Sequence, residues 1–182
     1  ASAGLSRVEL ESKLDRLAML VEEDNLLLAA EMIAAFGDAW LYEALLAGAS
    51  VDPDGDIKPG RILKRFGRRA AFVVVSALAA MPDGVALDRS LHRDAFMTIA
   101  VAPDTLDLLA DIAPRLPNLK PRVARGGLPE LEALRGAAAE FLARHGSPLR
   151  LEIRSLELAE AESLTKHDGH LHLAELESID PD

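Results

Sequence analysis

Residues 149–176 read LRLEIRSLELAEAESLTKHDGHLHLAEL, a segment whose period changes along its length. Leu149, Leu151 and Ile153 alternate with polar residues, and so do Leu171 and Leu173. Alternation at period two predicts short strands that each bury one face. A helix-like stretch ending in Ala143-Arg144-His145-Gly146 precedes the first strand, and one ending in Thr165-Lys166-His167-Asp168-Gly169 precedes the second. Leu151-x-Ile153-x-x-Leu156 returns as Leu171-x-Leu173-x-x-Leu176, an offset of 20.

Working outward, Pro129 and Gly146 bracket Leu131, Leu134, Ala138, Phe141 and Leu142 as a helix. Pro114, Pro117, Pro121, Gly126, Gly127 and Pro129 form the densest cluster of breakers in the chain, so residues 114–129 are expected to be a linker. This divides the chain into 1–113 and 130–182. In the first part, Ser6 and Glu9 form a capping-box signature before Leu10, Leu14, Leu17 and Val21 on one helical face. Residues 26–36 are apolar nearly all round, as in a helix buried among others, and Gly37 suits its end. Asp38 can cap a further helix carrying Trp40, Leu41, Ala44 and Leu45. Residues 61–81 again read as helix, with a short strand at 72–75 as the alternative. Pro82-Asp83-Gly84 closes them in a turn, and residues 87–102 fit a helix or a strand. Asp104 is placed to cap a helix through Leu106, Leu109 and Ala113.

The expected fold class is mostly α within an α+β arrangement. Phe36-Gly37 and Phe66-Gly67 lie 30 apart, and Pro53-Asp54-Gly55 and Pro82-Asp83-Gly84 lie 29 apart, so the first part is expected to be a helical bundle or a set of HEAT-like hairpins. Over about residues 130–182 the alternation of strand and helix resembles leucine-rich repeats, although the asparagine position of that motif is absent. The resemblance implies parallel stacked strands and a recognition surface, with the helical part serving as a cap.

Composition narrows the functions. The chain has 182 residues, 49% hydrophobic and 27% charged, as expected of a folded domain. Aromatics are only 4%, which weakens any base-stacking or sugar-stacking groove. The absence of cysteine removes disulfides, thiolate zinc sites and cysteine nucleophiles. The longest apolar runs, residues 26–30 and 70–81, are shorter than the roughly 20 residues that span a bilayer, so no membrane span is expected. Residues 1–4 show no signal-peptide start, and the cytoplasm is the default expectation.

The net charge of −10 is segregated. Residues 1–57 carry 3 basic and 12 acidic side chains, residues 58–150 carry 15 and 9, and residues 151–182 carry 2 and 9. A basic middle can pair with its acidic flanks or face an anionic partner.

Arg61, Lys64, Arg65, Arg68 and Arg69 follow the spacing of one helical face and are the candidate partner-binding residues. Such a stripe can grip phosphates, an anionic lipid surface or an acidic protein, or it can pair with the acidic first helix; Gly67 interrupts it. Overall acidity and few aromatics argue against nucleic acid.

Asp52, Asp54, Gly55 and Asp56 resemble the opening of a calcium loop, but Ile57 stands where its glycine is needed and Leu63 where its glutamate is needed. An Asp-Pro-Asp-Gly turn is the simpler reading. His167, Asp168, His170 and His172 form a histidine cluster that could hold zinc or nickel, with His145 as a further ligand; solvent-facing histidines explain the same letters.

No Gly-x-Ser-x-Gly elbow, P-loop, dinucleotide fingerprint or His-Glu-x-x-His helix occurs. Glu22, Glu23 and Asp24 beside Glu31 read as a solvated face, and Ser76 as a hydroxyl bonded to its own helix. The expectation is therefore a non-enzymatic protein-binding or adaptor module acting through the basic stripe. The alternatives are a metal-dependent binder or hydrolase at the histidines, and nucleic-acid binding through the stripe.

Overall fold

The computed structural model describes residues 6–37, 39–82, 91–131, 134–145, 148–167 and 169–181. It is mixed α+β, and the chain divides into two compact units, residues 1–95 and 96–182.

The first unit is built from α1 (Arg7–Glu22), α2 (Leu26–Ala34), α3 (Ala39–Leu46), the two-residue strands β1 (Ser50–Val51) and β2 (Ile57–Lys58), and α4 (Ala70–Ala80). The capping box forms as the spacing predicts: Glu9 N–H donates to Ser6 Oγ at 3.3 Å, and Ser6 N–H donates to the Glu9 carboxylate at 2.7 Å. That backbone donor, followed by the Ser6 side chain, holds the Glu9 carboxyl below its usual range.

α1 turns Leu14, Leu17 and Val21 inward, and α2 turns Leu26, Ala29 and Ile33. Tyr42 on α3 is buried, and its hydroxyl donates to the Ile33 carbonyl at 3.2 Å while accepting Gly37 N–H at 3.3 Å. This satisfies a polar tip in an apolar site and ties α3 to the end of α2.

α4 packs against α2 and α3 and buries Ala70 and every residue from Phe72 to Ala79. Phe72–Val75 is therefore helical and not a strand, because burial on all sides outweighs the modest helix penalty of β-branched residues. Gly60 allows a second close approach, since a Cβ there would meet the Ala47 carbonyl oxygen. The Asp38 cap, the turn residues Asp83 and Gly84, and residues 87–90 lie outside the described residues.

The second unit alternates strand and helix. Its order is β3 (Met97–Ala100), α5 (Leu106–Ile112), β4 (Leu119–Arg122), β5 (Leu128–Leu131), α6 (Gly136–Leu142), β6 (Leu149–Ile153), β7 (Ser155–Glu157), α7 (Leu158–Leu164), β8 (Leu171–Ala174) and β9 (Ser178–Asp180). β3 pairs with β4, β5 with β6 and β6 with β8, and β7 with β9, all parallel. Helices α5 and α6 pack together, as do α6 and α7. Leu149, Leu151 and Ile153 face inward, each contributing about 1.5–3 kcal/mol of apolar burial.

Several expectations change here. Residues 97–100 resolve the helix-or-strand ambiguity as a strand. The N-cap position of α5 is Thr105 rather than Asp104; its Oγ makes no bond to the helix and instead accepts Ala102 N–H at 3.0 Å. The expected linker 114–129 lies within the second unit and holds β4 and the start of β5, and Pro129 is in β5 rather than at a helix start. Proline fits there because β5 is an edge strand of its sheet. Leu149 faces Leu171 and Leu151 faces Leu173, so the strand register is 22 residues rather than 20. Leu156 sits on β7 opposite Ile179 and not in the Leu176 register.

Candidate interaction surface

The basic segment departs from the single helix its spacing predicts. Leu63–Arg69 forms a tight 3-10 stretch, and Gly67 breaks it with φ 55° and ψ −131°. A left-handed φ is open to glycine without the Cβ penalty, and here it starts α4 on a new axis. Leu63 and Phe66 are buried while Arg61, Lys64, Arg65 and Arg68 are exposed. The five cations therefore share one segment but not one straight helical face.

Two of the five are held internally. Arg65 Nη2 donates to Asp15 Oδ1 at 2.6 Å, and Arg69 Nη2 donates to Asp24 Oδ1 at 3.2 Å. Both acids come from α1 and its end, so the acidic first helix does pair with part of the stripe. Exposed pairs of this kind contribute about 0–1 kcal/mol, enough to orient side chains and too little to hold the unit together. Arg61, Lys64 and Arg68 make no ion pair among the described residues. Of these three, Arg68 lines a cleft of about 330 Å³ whose wall also includes Val21, Glu22, Asp24, Arg65 and Arg69.

The acidic loop at Asp52 is a turn. Asp52 Oδ1 accepts Asp54 N–H at 3.0 Å and Asp56 N–H at 2.9 Å, closing the β1–β2 hairpin. Chiefly the Asp56 N–H holds the Asp52 carboxyl below its usual range. Lys58 lies 3.6 Å from its other oxygen, so the carboxylate already has partners where the calcium reading needed a free ligand.

The histidines do not converge. His167 is buried and stacks on His145, with ring centroids 6.2 Å apart and planes within 7°. His170 and His172 are exposed, and Asp168 lies outside the described residues. His145 Nδ1 lies 3.0 Å from the Pro121 carbonyl oxygen, whereas neither ring nitrogen of His167 has a hydrogen-bond partner among the described residues. Among the described residues, no group of three or more His, Asp or Glu could hold a metal ion. The fourth ligand proposed from sequence, His145, is instead a stacking partner one register away.

Other sequence readings are adjusted by packing. Ser76 Oγ is buried in α4 with no hydrogen-bond partner among the described residues, so the expected bond to its own helix is not made. Arg144 donates to the carbonyl oxygens of Ala113, Leu116 and Leu119 at 3.2–3.4 Å, closing the chain between α5 and β4. Glu160, only 7% exposed, was not singled out from the sequence because the letters around it form an ordinary charged helix face. No local signal marks it, because its surroundings are set by distant residues such as Gly136.

Comparison with known protein families, curated proteins and solved structures returns no match for this chain. Among the described residues, no helix is long and apolar enough to cross a membrane.

Proposed function

We propose that the protein is a non-enzymatic interaction module that binds an acidic protein partner through Arg61, Lys64 and Arg68, with Arg65 and Arg69 as oriented flanking cations. The observation that carries this reading is the division of labour within one short segment: two cations are paired with Asp15 and Asp24, and three stay exposed without an ion pair among the described residues. A partner carboxylate meeting these three removes no internal bond. Complementary charge of this kind mainly sets encounter rate and selectivity.

The second unit fits the same class of function. Its parallel strands, intervening helices and 22-residue register, shared by the stacked pair His145 and His167, support a leucine-rich-repeat-like unit. The first unit is read as an irregular helical bundle rather than HEAT-like hairpins, since the kink at Gly67 and the β1–β2 hairpin interrupt any regular helix pairing. The expected compartment is the cytoplasm.

The test replaces Arg61, Lys64 and Arg68 together by glutamate and compares capture of partners from native extract by mass spectrometry. Loss of acidic partners by about tenfold or more, with an unchanged circular dichroism spectrum, is expected. Unchanged capture overturns the reading. A titration against duplex DNA supplies the competing outcome: binding that weakens steeply with salt and disappears in the same variant assigns the surface to nucleic acid instead.

A further inference from the structure

The second unit contains a cavity of about 420 Å³ whose wall includes Leu134, Gly136, Ser155, Leu156, Glu160 and Asp180. Glu157 and Arg135 stand at the same wall. Glu160 is 7% exposed, and its Oε2 is buried with no hydrogen-bond partner among the described residues. A buried carboxylate left unpaired costs several kcal/mol of desolvation, so such a group is ordinarily matched by a donor or a cation. Gly136 stands beside it at the wall, where a Cβ would lie 3.5 Å from Glu160 Oε1, an ordinary contact distance.

The guanidinium at this wall, Arg135, is already committed. Arg135 Nη2 donates to Asp111 Oδ1 at 2.8 Å and to the Asp107 carbonyl at 3.3 Å, and its Nε donates to Asp107 Oδ1 at 3.1 Å. The Asp111 and Asp107 bonds raise the Arg135 pKa and keep the group bound on that side. What remains at the cavity is three carboxylates, Glu157, Glu160 and Asp180, together with the Ser155 hydroxyl and two leucines. These carboxylates do not converge tightly enough for an ion: no group of three acidic or histidine side chains among the described residues could hold a metal. Leu134 and Leu156 are buried and apolar, and they suit a hydrocarbon stem behind a charged head.

We infer that this cavity binds an alkyl cation, a guanidinium or ammonium head on a short aliphatic chain, with Glu160 as its principal counter-charge. Glu160 takes the head in charge-assisted hydrogen bonds, and Ser155 and Asp180 supply further acceptors. The same chemistry is offered by a free alkylamine or alkylguanidine and by a lysine or arginine side chain of a peptide. The site is independent of the basic segment and does not rest on its proposed role.

The full chain labelled with ¹⁵N is titrated with n-butylguanidinium, n-butylammonium and the neutral n-butylurea, and amide shifts are followed at Gly136, Ser155 to Glu160 and Asp180. Saturable shifts with the two cations and none with the urea are expected, and Glu160→Gln should weaken cation binding by about tenfold or more. Gly136→Ala, which narrows the cavity at ordinary contact distance, is expected to weaken it as well and serves if the Gln variant loses its native spectrum. A pentapeptide with a central arginine supplies the second source. Tighter binding of the peptide than of butylguanidinium assigns the cation to a partner chain, and the reverse assigns it to a small molecule. Absence of saturable shifts with every cation, equal shifts with butylurea, or undiminished binding by both variants overturns the inference.

Discussion

In the first unit a single helix, α4, is buried along nearly its whole length with α2 and α3 packed against it, whereas the second unit is joined strand to strand by parallel backbone pairing between residues 22 or 23 apart. A helix satisfies its own backbone wherever it sits, so the first unit can absorb an irregularity such as the Gly67 kink without losing hydrogen bonds elsewhere. Parallel strands satisfy their backbone only through neighbours, so the second unit depends on registers that must hold together along the chain. The contrast explains why the first unit absorbs the kink at Gly67, even though Gly60 of the same unit stands against the Ala47 carbonyl.

The largest expected effects come from glycines at backbone contacts. In the second unit Gly127 has φ 79°, and a Cβ there would meet the carbonyl oxygen of Arg150 on β6. Gly127→Ala should lower the unfolding free energy by about 3 kcal/mol or more in denaturant melts, because both the dihedral and the packing oppose it. Gly67→Ala meets no atom within 4 Å and should cost only about 1–2 kcal/mol from its left-handed φ. Equal losses at the two positions would break the comparison between units.

The stacked histidines give an intermediate effect of opposite sign. His145→Phe leaves the Pro121 carbonyl oxygen without its partner and should cost about 1–3 kcal/mol, whereas His167→Phe removes two unpaired buried nitrogens and should be neutral or stabilising. Thermal melts of the two variants side by side test the asymmetry; equal destabilisation would show that the stack, and not the hydrogen bond, carries the energy.

The smallest effect belongs to the surface. Arg65→Ala removes the pair with Asp15, whose side chains are 42% and 65% exposed, and should cost at most about 1 kcal/mol, less still in about 1 M salt. A loss as large as that at Gly127 would mean that the ion pair organises the first unit.

The helix boundaries of the first unit were largely legible because their signals are local. Ser6 and Glu9 act within one turn, and the stripe of Leu14, Leu17 and Val21 repeats within α1. The strands at 149–153 and 171–174 were equally plain from alternation, yet their register was misread by two residues. Alternation tells which face is buried, and a shift of two keeps that face, so composition alone leaves both registers open. Proline and glycine end local structure, so the breakers at 114–129 read as a linker, whereas Pro129 stands on the edge strand β5 and Gly127 at a close backbone approach to Arg150.

The candidate sites divide along the same line. Neighbours along the chain are enough to crowd Arg61, Lys64, Arg65, Arg68 and Arg69 together, to set Gly67 among them and to begin a turn at Asp52. It takes the folded chain to give Asp15 and Asp24 to Arg65 and Arg69, to bring His167 into a stack with His145, and to bury Glu160 beside Gly136. The reason is distance along the chain: pairing, stacking and burial join residues tens of positions apart, and their free energies depend on solvent exclusion that no local pattern of letters contains.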